Sequence, residues 1–177
     1  MTCVIFNPTA RGDKAKSFRA RLADLGAGIQ LIPTSGPDSA PAQAAAAVDA
    51  GCTTLVAAGG DGTVNQVLNG LVAAREGLAR ARLAVLPLGT VNVFAKELGI
   101  PTGFAGAWRV IQAGRERTID LPVAEFGPPE RRERRCFAQL AGAGLDSRAL
   151  SLVDWGLKKR IGPLDPRDEI PSCPAYQ

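Results

Sequence analysis

Residues 53–65 read Thr53-Thr54-Leu55-Val56-Ala57-Ala58-Gly59-Gly60-Asp61-Gly62-Thr63-Val64-Asn65. Thr53 to Ala58 is the short aliphatic run expected of a strand buried on both faces. It breaks at a glycine-rich loop, after which Val64, Val67, Leu68, Leu71 and Val72 recur at helical spacing. A buried strand that passes through a glycine loop into an amphipathic helix predicts half of a βαβ unit and hence a parallel sheet.

The flanking sequence repeats that alternation. Upstream, Val4-Ile5-Phe6 predicts a first strand that stops at Asn7-Pro8. A helix over 13–25 comes next, with Phe18, Leu22 and Leu25 on one face, ended by Gly26 and Gly28. Ile29 to Ile32 predicts a second strand closed by Pro33. Ser35 to Ser39 is a turn in which Asp38 or Ser39 can cap an alanine-rich helix, Ala42 to Ala50, with Pro41 tolerated in its first turn. Downstream, Leu83 to Leu86 predicts a fourth strand ending at Pro87. The loop Leu88-Gly89-Thr90 leads to a short helix near Asn92–Leu98, and a further helix over 103–113 turns Trp108 and Ile111 inward.

The predicted fold is therefore α/β: a Rossmann-like, mostly parallel sheet with helices on both faces, occupying residues 1–122. After Gly114 the texture changes. Arg117–Val123 and Cys136–Ala141 read as two strands joined through Gly127-Pro128-Pro129, an antiparallel pair that would open a second, β-rich unit over 123–177. A helix is expected over 145–160. The tail, with Pro163, Pro166, Pro171 and Pro174, has little apolar periodicity and is expected to be irregular.

Composition narrows the chemistry. The 177 residues include no histidine, which removes Ser-His-Asp and Cys-His catalysis and every histidine-containing zinc site. Cys3, Cys52, Cys136 and Cys173 are far apart, with no CxxC pair, and read as free thiols of a reducing cytoplasm. The net charge is +4, but residues 1–120 carry 12 Lys/Arg against 9 Asp/Glu and residues 121–177 carry 9 against 8. Charge so evenly spread, with aromatics at 5%, argues against a nucleic-acid face. The start MTCVIFNP has neither a basic nor a long apolar region, so no signal peptide is expected, and no apolar run is long enough to span a bilayer.

The chemistry lies in the loops after the strands, because ligands of open parallel sheets bind beyond the carboxyl ends. Glycines in Gly59-Gly60-Asp61-Gly62-Thr63 let backbone amides approach an anion, and the succeeding helix adds a partial positive charge. Thr63 offers a hydroxyl. Asp61 repels phosphate and makes sense beside it only with Mg²⁺ between them, or as acceptor for a substrate hydroxyl. In Leu86-Pro87-Leu88-Gly89-Thr90-Val91-Asn92, Gly89 permits close approach, Thr90 supplies a hydroxyl and Asn92 can cap the next helix. In Asn7-Pro8-Thr9-Ala10-Arg11-Gly12, Asn7 and Thr9 can line the same crevice and Arg11 can meet a phosphate. Thr34 holds the matching position after the second strand. Each loop alone could be an ordinary turn; four on one edge point to a single nucleotide cleft. Two weaker features have plainer readings. Arg131-Arg132-Glu133-Arg134-Arg135 could touch anionic headgroups but reads better as a solvated hairpin connection, and Lys158-Lys159-Arg160 is treated alike.

These motifs resemble those of the catalytic domain shared by bacterial diacylglycerol kinases, related lipid kinases and sphingosine kinases. The carriers are Asn7–Gly12, Gly59–Asn65, and Pro87–Asn92 with Ala95-Lys96-Glu97-Leu98-Gly99-Ile100-Pro101 after it, in that order. The resemblance covers roughly residues 3–122. It implies an ATP site formed by Asn7, Pro8, Thr9, Ala10, Arg11, Thr34, Gly59, Gly60, Asp61, Gly62, Thr63, Val64, Asn65, Gly89, Thr90 and Asn92, with Asp61 as the catalytic carboxylate of this part of the enzyme. It implies Mg²⁺, γ-phosphoryl transfer to the hydroxyl of a lipid such as diacylglycerol or a sphingoid base, and a cytoplasmic protein meeting its substrate at the inner membrane face. Val93 stands where many members carry Asp. Phe137–Asp146 resembles the start of the family's second domain, and Lys158–Gly162 resembles the next stretch of that domain. The glycine–glutamate motif that supplies the family's further acidic residue does not occur after it. An incomplete β unit would leave an open strand edge and favour self-association. Two alternatives remain at this point: a nucleotide-binding remnant without turnover, and an NAD kinase, which shares GGDGT but places an Asn-Glu pair that is not seen here.

Phosphoryl transfer needs positioned charges and a base for the attacking hydroxyl. The purified chain, incubated with ATP, Mg²⁺ and diacylglycerol or a sphingoid base, is expected to give little or no phosphorylated lipid; robust turnover is the contrary result.

Overall fold

The computed structural model describes residues 1–8, 13–21, 25–26, 28–36, 38–145 and 148. The chain divides into two compact units, Met1–Ala141 and Gly142–Gln177. Nearly all of the second lies outside the described residues, including all but Leu145 and Arg148 of the helix expected over 145–160, the Lys158–Arg160 cluster and the proline-rich tail. Leu22, expected on the inner face of the first helix, lies outside them too.

In the first unit the elements run β1 (Thr2–Phe6), α1 (Asp13–Ala20), β2 (Ile29–Pro33), α2 (Ala40–Asp49), β3 (Thr54–Gly59), α3 (Asp61–Ala73), α4 (Gly77–Arg80), β4 (Arg82–Pro87), α5 (Val93–Glu97), α6 (Phe104–Ala113), β5 (Val123–Phe126) and β6 (Glu133–Cys136). The first four strands form a parallel sheet in the order β2-β1-β3-β4. The expected boundary at 122/123 falls inside this unit, which also contains the antiparallel pair β5–β6.

Strand alternation builds two cores, one on each face of the sheet. Cys3, Ile5, Leu55, Ala57 and Val85 point to the face covered by α2, α3 and α5. Val4, Phe6, Val56, Ala58 and Leu86 point to the other, where Phe18 of α1 and Ala107 of α6 close over them. Phe18 meets Phe6 edge-on at 5.5 Å between centroids, and Trp108 and Ile111 are half-buried against this layer. Aliphatic runs without alternating polar residues are thus explained by burial on both faces. Cys3, Cys52 and Cys136 are buried free thiols; Cys3 is pushed up to about 12 by burial and by the neighbouring Cys52, which keeps it protonated.

Some local expectations are corrected. Val72 is exposed, because the buried stripe of α3 is Val64, Val67, Leu68 and Leu71, with Gly70 beside it. Ser39 precedes α2 but does not cap it. Its hydroxyl accepts the amides of Ser35 and Gly36 at 2.9 and 3.2 Å, closing the preceding turn. The four-residue α4 has no counterpart in the sequence reading: Leu78 is exposed, so no apolar stripe announces it. The antiparallel strands are shorter and shifted from the predicted ranges. Pairing begins at Val123↔Cys136 and ends at Phe126↔Glu133, next to the 3₁₀ turn Pro129–Arg131. The basic run is therefore largely strand rather than connection, and Glu125 forms ion pairs with Arg134 at 3.0 Å and Arg132 at 3.6 Å.

The α2–α3 contact depends on Gly70. A methyl group there would run into the Pro41 carbonyl oxygen and come within 2.6 Å of the Ala44 methyl. Gly70→Ala should therefore lower stability by about 1–3 kcal/mol through overpacking, against the ~1 kcal/mol that alanine normally gains in a helix. Thermal unfolding of the two proteins decides the sign.

Candidate functional site

The register of the parallel sheet sets the carboxyl rim. Phe6 lies opposite Pro33 and Ala58, Ala58 opposite Leu86, and Gly59 opposite Pro87. The chain leaves all four strands at one level. Two backbone bonds extend the ladder past the strand ends: Thr34 N donates to the Phe6 carbonyl at 2.8 Å, and Leu88 N donates to that of Gly59 at 3.0 Å. From β1 the chain crosses to β2 on one side, and from β3 to β4 on the other. The strand order reverses between β1 and β3, where open sheets form their ligand crevice. Asn7-Pro8 and Gly59-Gly60 flank that point.

Gly60 and Gly89 touch backbone to backbone. A Cβ on Gly89 would stand 2.5 Å from the Gly60 Cα and 2.8 Å from Asn92 Oδ1. A Cβ on Gly59 would run into the side chain of Thr63. The sequence reading assigned these glycines to anion approach; the structure adds that they let two loops pack on each other. Gly60 is extended and precedes α3 with no side chain capping the helix. The amides of Asp61, Gly62 and Thr63 have no acceptor within the helix, as in any first turn.

Asp61 joins the two loops. Its Oδ2 accepts Val93 N and its Oδ1 accepts Phe94 N, both at 3.1 Å. The carboxylate of the β3 loop thereby caps α5, the helix of the β4 loop, where a negative charge is favoured. Asn92, expected to cap that helix, does something else. It is buried, with left-handed φ of 53° and ψ of 56°, a region that asparagine tolerates. Its Oδ1 accepts Gly89 N at 2.9 Å and its Nδ2 donates to the Gly89 carbonyl at 2.7 Å. Asn92 thus closes the Gly89-Thr90-Val91 loop on itself, leaving the helix amides to Asp61. Thr90 is exposed on this loop, on the same rim as Asp61.

The remaining expected residues divide. Asn7 is exposed at the end of β1; the Pro8 carbonyl accepts Arg19 Nη1 at 2.8 Å and so faces α1. Thr34 is half-buried at the end of β2. Val64 is buried in the core, so its side chain packs rather than meets ligand. Asn65 is exposed one turn into α3. Thr9, Ala10 and Arg11, with Gly12, lie outside the described residues. Sequence reasoning missed Asn69, whose side chain bonds both Asn65 and the backbone of Cys136. No periodicity or loop motif marks a polar residue that serves a strand distant in sequence. Among the described residues no three His, Cys, Asp or Glu side chains gather as a metal site, and no helix is long and apolar enough to cross a membrane.

A parallel sheet with its strand order reversing between β1 and β3, and with two glycine loops packed together on the same carboxyl rim, is an open α/β fold of the kind that takes ligands beyond its strand ends. The chain belongs to the diacylglycerol kinase catalytic domain family, whose pattern matches residues 1–124. Over 112 residues it is 36% identical to the "Probable lipid kinase YegS" of Salmonella dublin and to its namesake from Salmonella typhimurium, each match covering 63% of this chain and 35% of the relative. A crystal structure of a diacylglycerol kinase from Bacillus anthracis str. Sterne matches with a TM-score of 0.59 and 25% identity, over 70% of this chain and 43% of that one. The chain spans about a third of the length of these curated relatives.

Hydrogen bonds to a charged acceptor contribute more than neutral ones. Asp61→Asn replaces one accepting oxygen by a donor, and should cost about 1–2 kcal/mol of stability. It should also speed amide exchange at Val93 and Phe94. Unchanged protection at those two amides in hydrogen exchange would show that the cap does not form in solution.

Proposed function

We propose that this domain binds ATP at the β1/β3 switch point and serves transfer of the γ-phosphoryl group to a lipid hydroxyl presented at a membrane surface. The observation that carries the reading is the packing of Gly60 on Gly89 with Asp61 bonded across the two loops. It concentrates the uncommitted amides of the α3 first turn, the Thr63 and Thr90 hydroxyls and the end of β1 along one rim. Amides and a helix N-terminus suit phosphate oxygens. On this reading Asn7, Pro8 and Thr34 border the nucleotide on the β1–β2 side, while Gly59 through Thr63, Asn65, Gly89 and Thr90 face its phosphates. Asn92 acts through the loop it closes.

Mg²⁺ fits the donor set only as a partner of the nucleotide. Asp61 is the acidic residue at the two glycine loops, and each of its oxygens already accepts one amide, which leaves one lone-pair direction apiece. A single carboxylate suits a hydrated Mg²⁺ that arrives on phosphate oxygens, the usual arrangement in phosphoryl-transfer sites. When bound, the ion would neutralise charge between the β- and γ-phosphates. Asp61 itself acts first as a positioning group, holding the Gly89 loop against Gly60. The lipid as acceptor is supported by membership in the diacylglycerol kinase family and by the names of the relatives, which also disfavour an NAD kinase.

Titration of the chain with ATP by calorimetry should give binding at millimolar concentration or tighter. Gly89→Ala should remove it by forcing the two loops apart. Absence of heat with the wild-type chain at millimolar ATP would reject the nucleotide site.

A further inference from the structure

Asp61, Asn65 and Asn69 are spaced four residues apart and form one polar row along α3. At one end Asp61 holds α5. At the other, Asn69 holds β6: Cys136 N donates to Asn69 Oδ1 at 2.9 Å, and Asn69 Nδ2 donates to the Cys136 carbonyl at 2.9 Å. A side-chain amide thus pairs with one residue of a strand as a neighbouring strand would. The next residues stay on the same helices: Ala138 packs against the core shared by α3 and α5, and Gln139 Nε2 reaches Glu97 Oε2 at 3.4 Å.

This pairing decides an orientation that the Asn69 side chain alone leaves open. A backbone N–H can only donate, so the atom of Asn69 that faces Cys136 N must be its oxygen. The Asn69 nitrogen then has one N–H for the Cys136 carbonyl at 2.9 Å and a second shared between the Asn65 carbonyl at 2.9 Å and Asn65 Oδ1 at 2.7 Å. Asn65 must therefore turn its own oxygen toward Asn69. Its Nδ2, with two N–H donors, is left facing away, on an exposed side chain one helical turn from Asp61.

We propose that Asn69 is a positioning residue: while β6 is docked it sets the amide of Asn65 so that donors, not an acceptor, are presented to a phosphate oxygen at the rim. The proposal rests on the nucleotide reading above and deepens it. It makes docking of the β5–β6 pair a condition for a fully formed phosphate site, through three side-chain and backbone groups in series. If β6 leaves, Asn69 loses the partner that fixes its orientation, and Asn65 can turn its oxygen outward, toward the anion.

The test is ATP affinity by calorimetry across a mutant cycle in the full chain. Asn65→Asp keeps an oxygen for Asn69 to bond but replaces the outward donor by an acceptor. It should fold as the wild type does and bind ATP about tenfold more weakly or worse, the loss expected for a hydrogen bond to a charged group. Asn69→Ala should weaken ATP severalfold and expose Cys136 N to hydrogen exchange. The deciding readout is the coupling: in an Asn65→Ala background, Asn69→Ala should cost no further affinity. Additive losses, or wild-type affinity in Asn65→Asp, would overturn the proposal; the latter measurement decides even if Asn69→Ala fails to fold. Failure of the wild-type chain to bind ATP at all would remove the nucleotide reading as well, and is told apart by needing no variant.

Discussion

Two backbones in contact, Gly60 on Gly89, set the spacing of the whole rim. Neighbouring parallel strands lie about 4.8 Å apart, and the loops that leave β3 and β4 continue at that distance only if neither carries a side chain between them. A Cβ on Gly89 would stand 2.5 Å from the Gly60 Cα, while one on Gly60 would stand 3.3 Å from the Gly89 Cα, so the contact excludes a side chain at Gly89 and is tight at Gly60. Once it is made, Asp61 reaches the amides of Val93 and Phe94, and Asn92 closes its own loop onto Gly89. Each of these bonds assumes the one before it.

The position of Asp61 resolves a conflict. A carboxylate beside the open amides of a helix N-terminus weakens their attraction for an anion. Its two oxygens are occupied by backbone donors of α5, so part of its charge is directed at a helix terminus. The three first-turn amides of α3 remain available to a ligand. One residue therefore holds the two loops together while each of its oxygens keeps a further lone pair.

The β5–β6 pair extends the same logic away from the rim. Two isolated strands are marginal in water, and this pair gains its hold on the domain from the Asn69 amide and from Cys136 and Ala138, which pack inward. Its arginines, prominent in the sequence, are drawn into solvent-exposed ion pairs: Arg134 across the strands and Arg132 beside them with Glu125, and Arg135 with Glu133 along β6. Such pairs contribute little to stability. They set the charge of the surface, while the anchoring falls to the uncharged Asn69, Cys136 and Ala138.

Local signals along the chain were enough for the alternation of strands and helices, the parallel sheet, the two-sided core and the glycine loops at the strand ends. An aliphatic run, a 3.6-residue period or a glycine after a strand is written within a few residues. The family was legible too, since three motifs in order lie along the chain. Which groups meet was settled by the fold alone. That Asp61 caps α5, that Asn92 braces Gly89 instead of its own helix, that Ser39 closes a turn, and that Asn69 serves Cys136 all depend on partners chosen by strand order and register. A side chain with several possible hydrogen bonds satisfies whichever donors the fold brings within about 3 Å, and no local pattern records that choice.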